Sequence, residues 1–179
     1  KEYIKIIQDG YFAFGAKTTD SSKFISAGGG TFSLEGKVYE EVLDFYTVRP
    51  EVIGQKTAYH FLLNGNKMTI AADMHGMQLE EVWERISNAT DDLTANWVIT
   101  GRMRDGATSR NTPGARRTIK ILSGGRFQWV AFNSETKEFM GTGGGTYTAT
   151  GGKYIEHIAF FSRDDKRVGA SLSFNYEIK

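Results

Sequence analysis

Gly28-Gly29-Gly30-Thr31, followed by Tyr39 and Glu41, returns later in the chain as Gly143-Gly144-Gly145-Thr146, followed by Tyr154 and Glu156. The offset is 115 residues, and it holds without a gap from Ile4/Ile119 to Gly54/Gly169. Of the 64 pairs formed by residues 1–64 and 116–179, 16 are identical. They are Ile4, Lys5, Ile6, Gly10, Phe12, Ala16, Phe24, Gly28, Gly29, Gly30, Thr31, Gly36, Tyr39, Glu41, Phe45 and Gly54, each with its partner 115 residues on. The pattern predicts one structural unit built twice. Internal identity reports what the shared fold demands, so ligand choice belongs where the copies differ.

The local signals are those of strands. Residues 3–8 and 11–16 read as two strands joined at Asp9-Gly10, a strong hairpin signal. Residues 17–23 are polar and read as a loop. Thr31 to Leu34 and Lys37 to Val48 flank a turn at Glu35-Gly36, and Arg49-Pro50 ends the second of these strands. Gln55 to Leu63 and Met68 to Met74 are joined at Asn64-Gly65-Asn66. Leu79 to Ile86 is compositionally ambiguous, because Glu and Leu favour helix. Its alternation and its all-hairpin surroundings favour a strand.

Residues 87–94 read as a linker between a first unit at 1–88 and a second at 93–179. The second unit opens at Asn96 to Met103, crosses a polar loop at 105–115, and continues through Arg116–Leu122, Arg126–Phe132, Glu138–Thr148, Tyr154–Ser162 and Val168–Ile178. About thirteen short strands with hairpin turns, 21 glycines and no helix predict an all-β antiparallel barrel or sandwich. Residues 65–115 occur only once. The first unit therefore lacks an opening strand of the Trp97 kind, and the second lacks closing strands of the Met68–Ile86 kind. The native product is expected to be longer at one or both ends, or the two incomplete units to share strands. No leader pattern precedes Tyr3-Ile4-Lys5-Ile6-Ile7, so any leader is expected to have been removed.

Several chemistries lack support. A net charge of +1, with both signs interspersed, offers nothing to nucleic acid or an anionic membrane. There are no cysteines for disulfide or thiol chemistry, and no apolar run reaches the length of a membrane-spanning helix. His60, His75 and His157 have no partner at metal-ligand spacing, so no metal site is expected. No cofactor motif appears. The triple glycine is not a phosphate loop, because the lysine and the following helix are both missing. Glycine inside a strand instead marks a bulge, a bend or a close backbone approach.

Tyr39, Glu41, Leu43 and Phe45 fall on one face by the two-residue period, as do Tyr154, Glu156, Ile158 and Phe160. That face is apolar and should point inward, which puts an acid at its centre in each copy. A buried carboxylate needs a partner or a raised pKa. It is a structural ion pair, with an arginine near the barrel end, or a polar anchor inside a ligand cavity, or a general base. The opposite face of the second copy, with Ile155, His157, Ala159 and Phe161, is unusually apolar. It suits a contact between the two units or a homo-oligomer. Trp83 with Arg85, and Trp97 with Arg102, look like indoles at the barrel ends covered by a guanidinium.

Asn96-Trp97-Val98-Ile99-Thr100-Gly101 at the start of a unit, and Leu79 to Arg85 at the end of one, resemble the opening and closing strands of lipocalin-like (calycin-type) domains. The middle, Gly-Gly-Gly-Thr-Phe/Tyr then Tyr-x-Glu, resembles lipocalin-like domains of unknown function in secreted or periplasmic bacterial proteins. One departure is that Gly101 follows Trp97 instead of preceding it. The resemblance implies tandem up-and-down barrels, each with a cavity open at one end. It also implies non-enzymatic binding of a small apolar or amphipathic ligand, in a secreted or periplasmic setting. Tyr39, Glu41, Tyr154, Glu156 and Trp129 are the expected cavity residues. The rival reading is a structural or protein-interaction module with filled barrels. An enzyme using Glu41 or Glu156 is the third.

Overall fold

The computed structural model describes residues 1–74 and 76–179. His75 lies outside them, and with it one of the three histidines weighed above. The first seven strands form one antiparallel sheet in simple sequential order. They are β1 (Glu2–Gln8), β2 (Tyr11–Lys17), β3 (Phe24–Glu35), β4 (Val38–Tyr46), β5 (Lys56–Asn64), β6 (Lys67–Met74) and β7 (Met77–Glu84). The ambiguous stretch at 79–86 is therefore mostly strand. Then come β8 (Ala95–Val98) and a separate small hairpin, β9 (Gly101–Arg104) with β10 (Ala107–Arg110). The last strands are β11 (Arg116–Ser123), β12 (Arg126–Asn133), β13 (Phe139–Thr150), β14 (Lys153–Phe161) and β15 (Ser171–Asn175). They form a second antiparallel sheet with β8, in the order β15-β14-β13-β12-β11-β8. Two single 3-10 turns, Pro50–Val52 and Asp165–Arg167, interrupt the strands. No helix among the described residues is long and apolar enough to cross a membrane.

The β9–β10 hairpin falls where one longer strand and a polar loop were expected. Its turn is Asp105-Gly106, with φ of 50° and 77°. Asp9-Gly10, between β1 and β2, has φ of 49° and 72°. A two-residue turn of this kind needs positive φ at both positions, which Asp tolerates and Gly adopts freely. The same dipeptide thus makes the same hairpin in both places.

The triple glycines do what strand glycines do. Pairing shifts by one residue between Gly29 and Gly30, and again between Gly144 and Gly145. Gly29 faces Phe45 and Gly30 faces Leu43, so β4 carries an extra residue, Asp44. In β14 the extra residue is Ala159. A Cβ on Gly30 would run into the Val42 carbonyl oxygen, and one on Gly145 into the His157 carbonyl oxygen. Only glycine lets the bulged strand come so near.

Each bulge resets the two-residue period, which corrects the facing expected for Phe45. Tyr39 and Glu41 point to the concave side of the first sheet. Phe45 does not: it stacks on Phe132 and Phe139 of the second sheet, with ring centroids 5.9 and 6.4 Å apart. Phe160 likewise stacks on Phe24, at 6.2 Å. The contacts Phe24·Phe160 and Phe139·Phe45 exchange under the 115-residue offset. The two sheets pack back to back through a core of Ile6, Ala13, Ala27, Phe45, Ile121, Val130 and Phe132. Phe161, expected to form the contact between units, instead packs on Trp129 at 5.4 Å, on the other side.

Candidate functional site

The seven-stranded sheet curls until its first and last strands face each other. Lys5 of β1 places its Nζ 5.3 Å from the centre of the Trp83 ring on β7. Yet β1 and β7 share no ladder, since they are the two ends of the sheet. An open cavity of about 1140 Å³ lies on the concave side and along the gap between β1 and β7, and reaches Ser123, Gly124 and Arg126 at the β11–β12 turn. Its apolar wall includes Phe14, Tyr46, Phe61, Leu63, Met68 and Trp83, and its polar groups include Lys5, Glu41 and Glu81.

Lys5 is the centre of this site. Residues of β1 alternate: Ile6 belongs to the inter-sheet core and Ile4 packs against it, while Lys5 reaches Glu41 and Trp83 on the concave side. Its ammonium donates to Glu41 Oε1 at 2.5 Å. The side chains are only 4% and 10% exposed, so the pair is taken out of water. The rings of Phe12, Tyr39 and Trp83 surround the ammonium at 4.5 to 5.5 Å from their centres. Aromatic faces attract a cation, and more strongly where water is excluded. The cation that answers Glu41 is therefore a lysine and not an arginine at the barrel end. Likewise Trp83 is covered by Lys5 while its Nε1 donates to Glu81 at 2.9 Å. Trp97 donates from Nε1 to the Leu93 carbonyl at 2.8 Å.

The same arrangement stands in the second sheet, 115 residues on. Lys120 donates to Glu156 Oε1, against the rings of Phe127 and Tyr154. The Tyr154 hydroxyl donates to that same carboxylate oxygen at 2.7 Å. Among the described residues no strands equivalent to β6 and β7 cover this pair, and Lys120 is 29% exposed. The concave side holds a smaller hollow of about 350 Å³, lined by Leu93, Trp97, Lys120, Leu122 and Tyr154 together with Glu177, Ile178 and Lys179.

Of the five residues expected to line cavities, Glu41 lines the large one and Tyr154 the small one. Glu156 is buried beneath Lys120. Tyr39 is buried among Phe32, Tyr59 and Phe61. Its hydroxyl has no hydrogen-bonding partner among the described residues, unlike that of Tyr154. Trp129 packs on Phe161 and beside Gly143, and lines neither hollow. Sequence reasoning passed over Lys5 and Trp83 as cavity groups. The signal for Lys5 was its identity with Lys120, on the opposite face from two identical isoleucines.

His157 Nδ1 and Ser171 Oγ are hydrogen-bonded at 2.8 Å, His60 is exposed, and no cluster suited to a metal occurs among the described residues.

Burial, with the neighbouring Glu41 carboxylate, pushes the Tyr39 phenol well above its ordinary value, and burial with Glu156 does the same to Tyr154. Burial likewise raises Tyr59, and it raises Tyr11, whose hydroxyl donates to Asp44. Burial raises Tyr147 to about 12. A phenol whose folded pKa lies above its unfolded value of 10.0 contributes stability in full below pH 10.0. That contribution is lost as pH rises towards the folded value. The protein should therefore lose stability above about pH 10. In an absorbance titration, Tyr11, Tyr39, Tyr59, Tyr147 and Tyr154 should ionise together with unfolding. Smooth titration of all eight tyrosines near their ordinary value, with the fold intact, would contradict this burial.

Compared with protein-family models, with curated proteins and with solved structures, the chain has no significant match in any of the three.

Proposed function

We propose that the protein is a non-enzymatic carrier of a small apolar or amphipathic molecule, built as a tandem of lipocalin-like units. The first unit holds the ligand in the hollow of its curled sheet. The observation that carries this reading is the cavity itself, about 1140 Å³, with an apolar wall and with Lys1, Lys5, Glu41, Glu81, Glu84, Arg85 and Arg126 as charged groups in its lining. Small-molecule sites combine an apolar wall with polar groups that fix orientation, and the charged groups here suit an amphipathic ligand. The tandem reading rests on the shared identities and on the matching positions of the two bulges. Glu41 is already engaged by Lys5, which suits a group that shapes the cavity better than a free general base. A secreted or periplasmic setting fits the resemblance that suggests the fold.

Trp83 lines the cavity, whereas Trp97 and Trp129 do not. Titration with a panel of fatty acids and aromatic probes should change the tryptophan emission of the protein, and Trp83→Phe should abolish most of the change. A panel that leaves the emission unaltered, with no probe retained on gel filtration, would remove the reading. A structural or interaction role is the second reading. It is favoured by the exposed apolar residues Leu172 and Phe174 on the edge strand β15, and by Trp97 and Val98 on the edge strand β8.

A further inference from the structure

β1 and β11 carry the same Ile-Lys-Ile core, Ile4-Lys5-Ile6 and Ile119-Lys120-Ile121, and each pairs with the strand that follows it. They differ on the other side. The outer edge of β11 is taken by β8, with Val98 opposite Ile119, Trp97 opposite Lys120, Asn96 opposite Ile121 and Ala95 opposite Leu122. Among the described residues no strand pairs with the outer edge of β1, which is the end of its sheet. Among the described residues, the one further hydrogen bond to this strand's backbone is from the Asn96 side chain to the Gln8 carbonyl, at 2.6 Å. Free backbone N–H and C=O groups along a strand edge are a template for another strand.

Three further observations point the same way. Tyr3 and Ile7 on this edge strand are exposed. The side chains of Lys5 and Trp83 meet across a gap that no ladder bridges. The sheet has seven strands in sequential order, and side chains from its two ends both line the cavity. An up-and-down barrel of eight strands is the smallest common closed form, so the sheet stands one strand short of it. On β11, the strand that fills the equivalent place sets its tryptophan opposite the lysine, and both line the hollow there.

We propose that the free edge of β1 is a strand-acceptor site. Its occupant is an extended polypeptide segment, other than residues 1–179 themselves, of the same character as β8. That character is a tryptophan placed opposite Lys5, with a β-branched residue opposite Ile4 and an asparagine opposite Ile6, as Trp97, Val98 and Asn96 stand on β11. The segment adds antiparallel to β1 in the register that β8 adopts on β11, which puts its residues opposite Ile4, Lys5, Ile6 and Ile7. Backbone hydrogen bonds supply the affinity, and the tryptophan, entering beside Lys5 and Trp83, supplies the register. This inference does not depend on the cavity being a ligand site.

The test uses the 179-residue chain and a synthetic peptide of residues 92–101, which contains Asn96-Trp97-Val98. The peptide should bind one to one by calorimetry. Backbone N-methylation at its alternate donors should weaken binding tenfold or more, and so should Trp97→Ala in the peptide. A photo-reactive group at the peptide's position 97 should label β1 or β7, and not β11. The proposal is overturned by absence of binding, or by equal binding of the N-methylated peptide. It is also overturned by labelling confined to β11, which would mean exchange with the resident β8. A chain that is already a dimer, with β1 edges protected from amide exchange by each other, would show that a second copy is the occupant and would equally overturn it.

Discussion

Glu41→Ala should lower the unfolding free energy by about 3–5 kcal/mol, the loss expected when one member of a buried ion pair is removed. The cost arises less from the bond lost than from the charge left behind. Lys5 is 4% exposed and surrounded by three rings, so its charge would be left poorly solvated without the carboxylate. The double variant Lys5→Met with Glu41→Leu should recover most of that stability, because apolar residues of similar size often match or exceed a buried pair. The second sheet supplies an internal control. Glu156→Ala should cost only about 1–2 kcal/mol, because Lys120 is 29% exposed and solvent screens what remains. Urea denaturation of the four proteins would measure this. A single-variant loss at Glu41 no larger than that at Glu156 would refute the view that β6 and β7 seal the first pair from water.

Gly30→Ala and Gly145→Ala should each cost more than about 3 kcal/mol, beyond the ordinary range for an added methyl group in a packed core. The neighbours of the new Cβ are backbone atoms, which have no rotamer with which to move away. At Gly30 they are the Val42 carbonyl oxygen, the Asp44 nitrogen at 2.8 Å and the Leu43 Cα at 2.9 Å. At Gly145 they are the His157 carbonyl oxygen and the Ala159 nitrogen, again at 2.8 Å. Relief would require undoing the bulge. That would turn Phe45 or Phe160 out of the inter-sheet core and onto the concave side. Loss of the inter-sheet aromatic contacts, seen in the near-ultraviolet circular dichroism, should therefore accompany the loss of stability. Gly36→Ala is the comparison. Its Cβ would meet nothing within 4 Å, but its φ of +58° costs a side chain on the order of 1 kcal/mol. If Gly30→Ala proves no worse than Gly36→Ala, the close approach at the bulge does not hold the two faces in place.

Much of the local structure was legible in the chain because it depends on neighbours in sequence. Asp9-Gly10, Glu35-Gly36 and Asn64-Gly65 mark turns through the φ their residues tolerate. The alternation of Tyr39 and Glu41 marks an inward face through the strand period. The second half of that face was misread. Phe45 follows the same alternation on paper, but the extra residue at Asp44 turns it the other way. A bulge leaves no mark in β4 itself; its trace is the glycine opposite, on another strand. The candidate site was half visible for a similar reason. An acid on an apolar face announces itself. Its lysine, 36 residues away, looks like any strand lysine with a solvated side chain.

The sequence by itself determined that this chain builds antiparallel strands, that residues 1–64 and 116–179 share one set of local rules, and that Glu41 and Glu156 needed a partner. Only the tertiary structure decided who that partner is, which way Phe45 and Phe160 face, and that Trp83 closes over Lys5. The division has one physical cause. Turn chemistry and strand period act between residues a few positions apart. The curl of a seven-stranded sheet is the sum of every strand's twist and of the bulges that glycine permits. That sum brings β1 against β7 and makes the cavity.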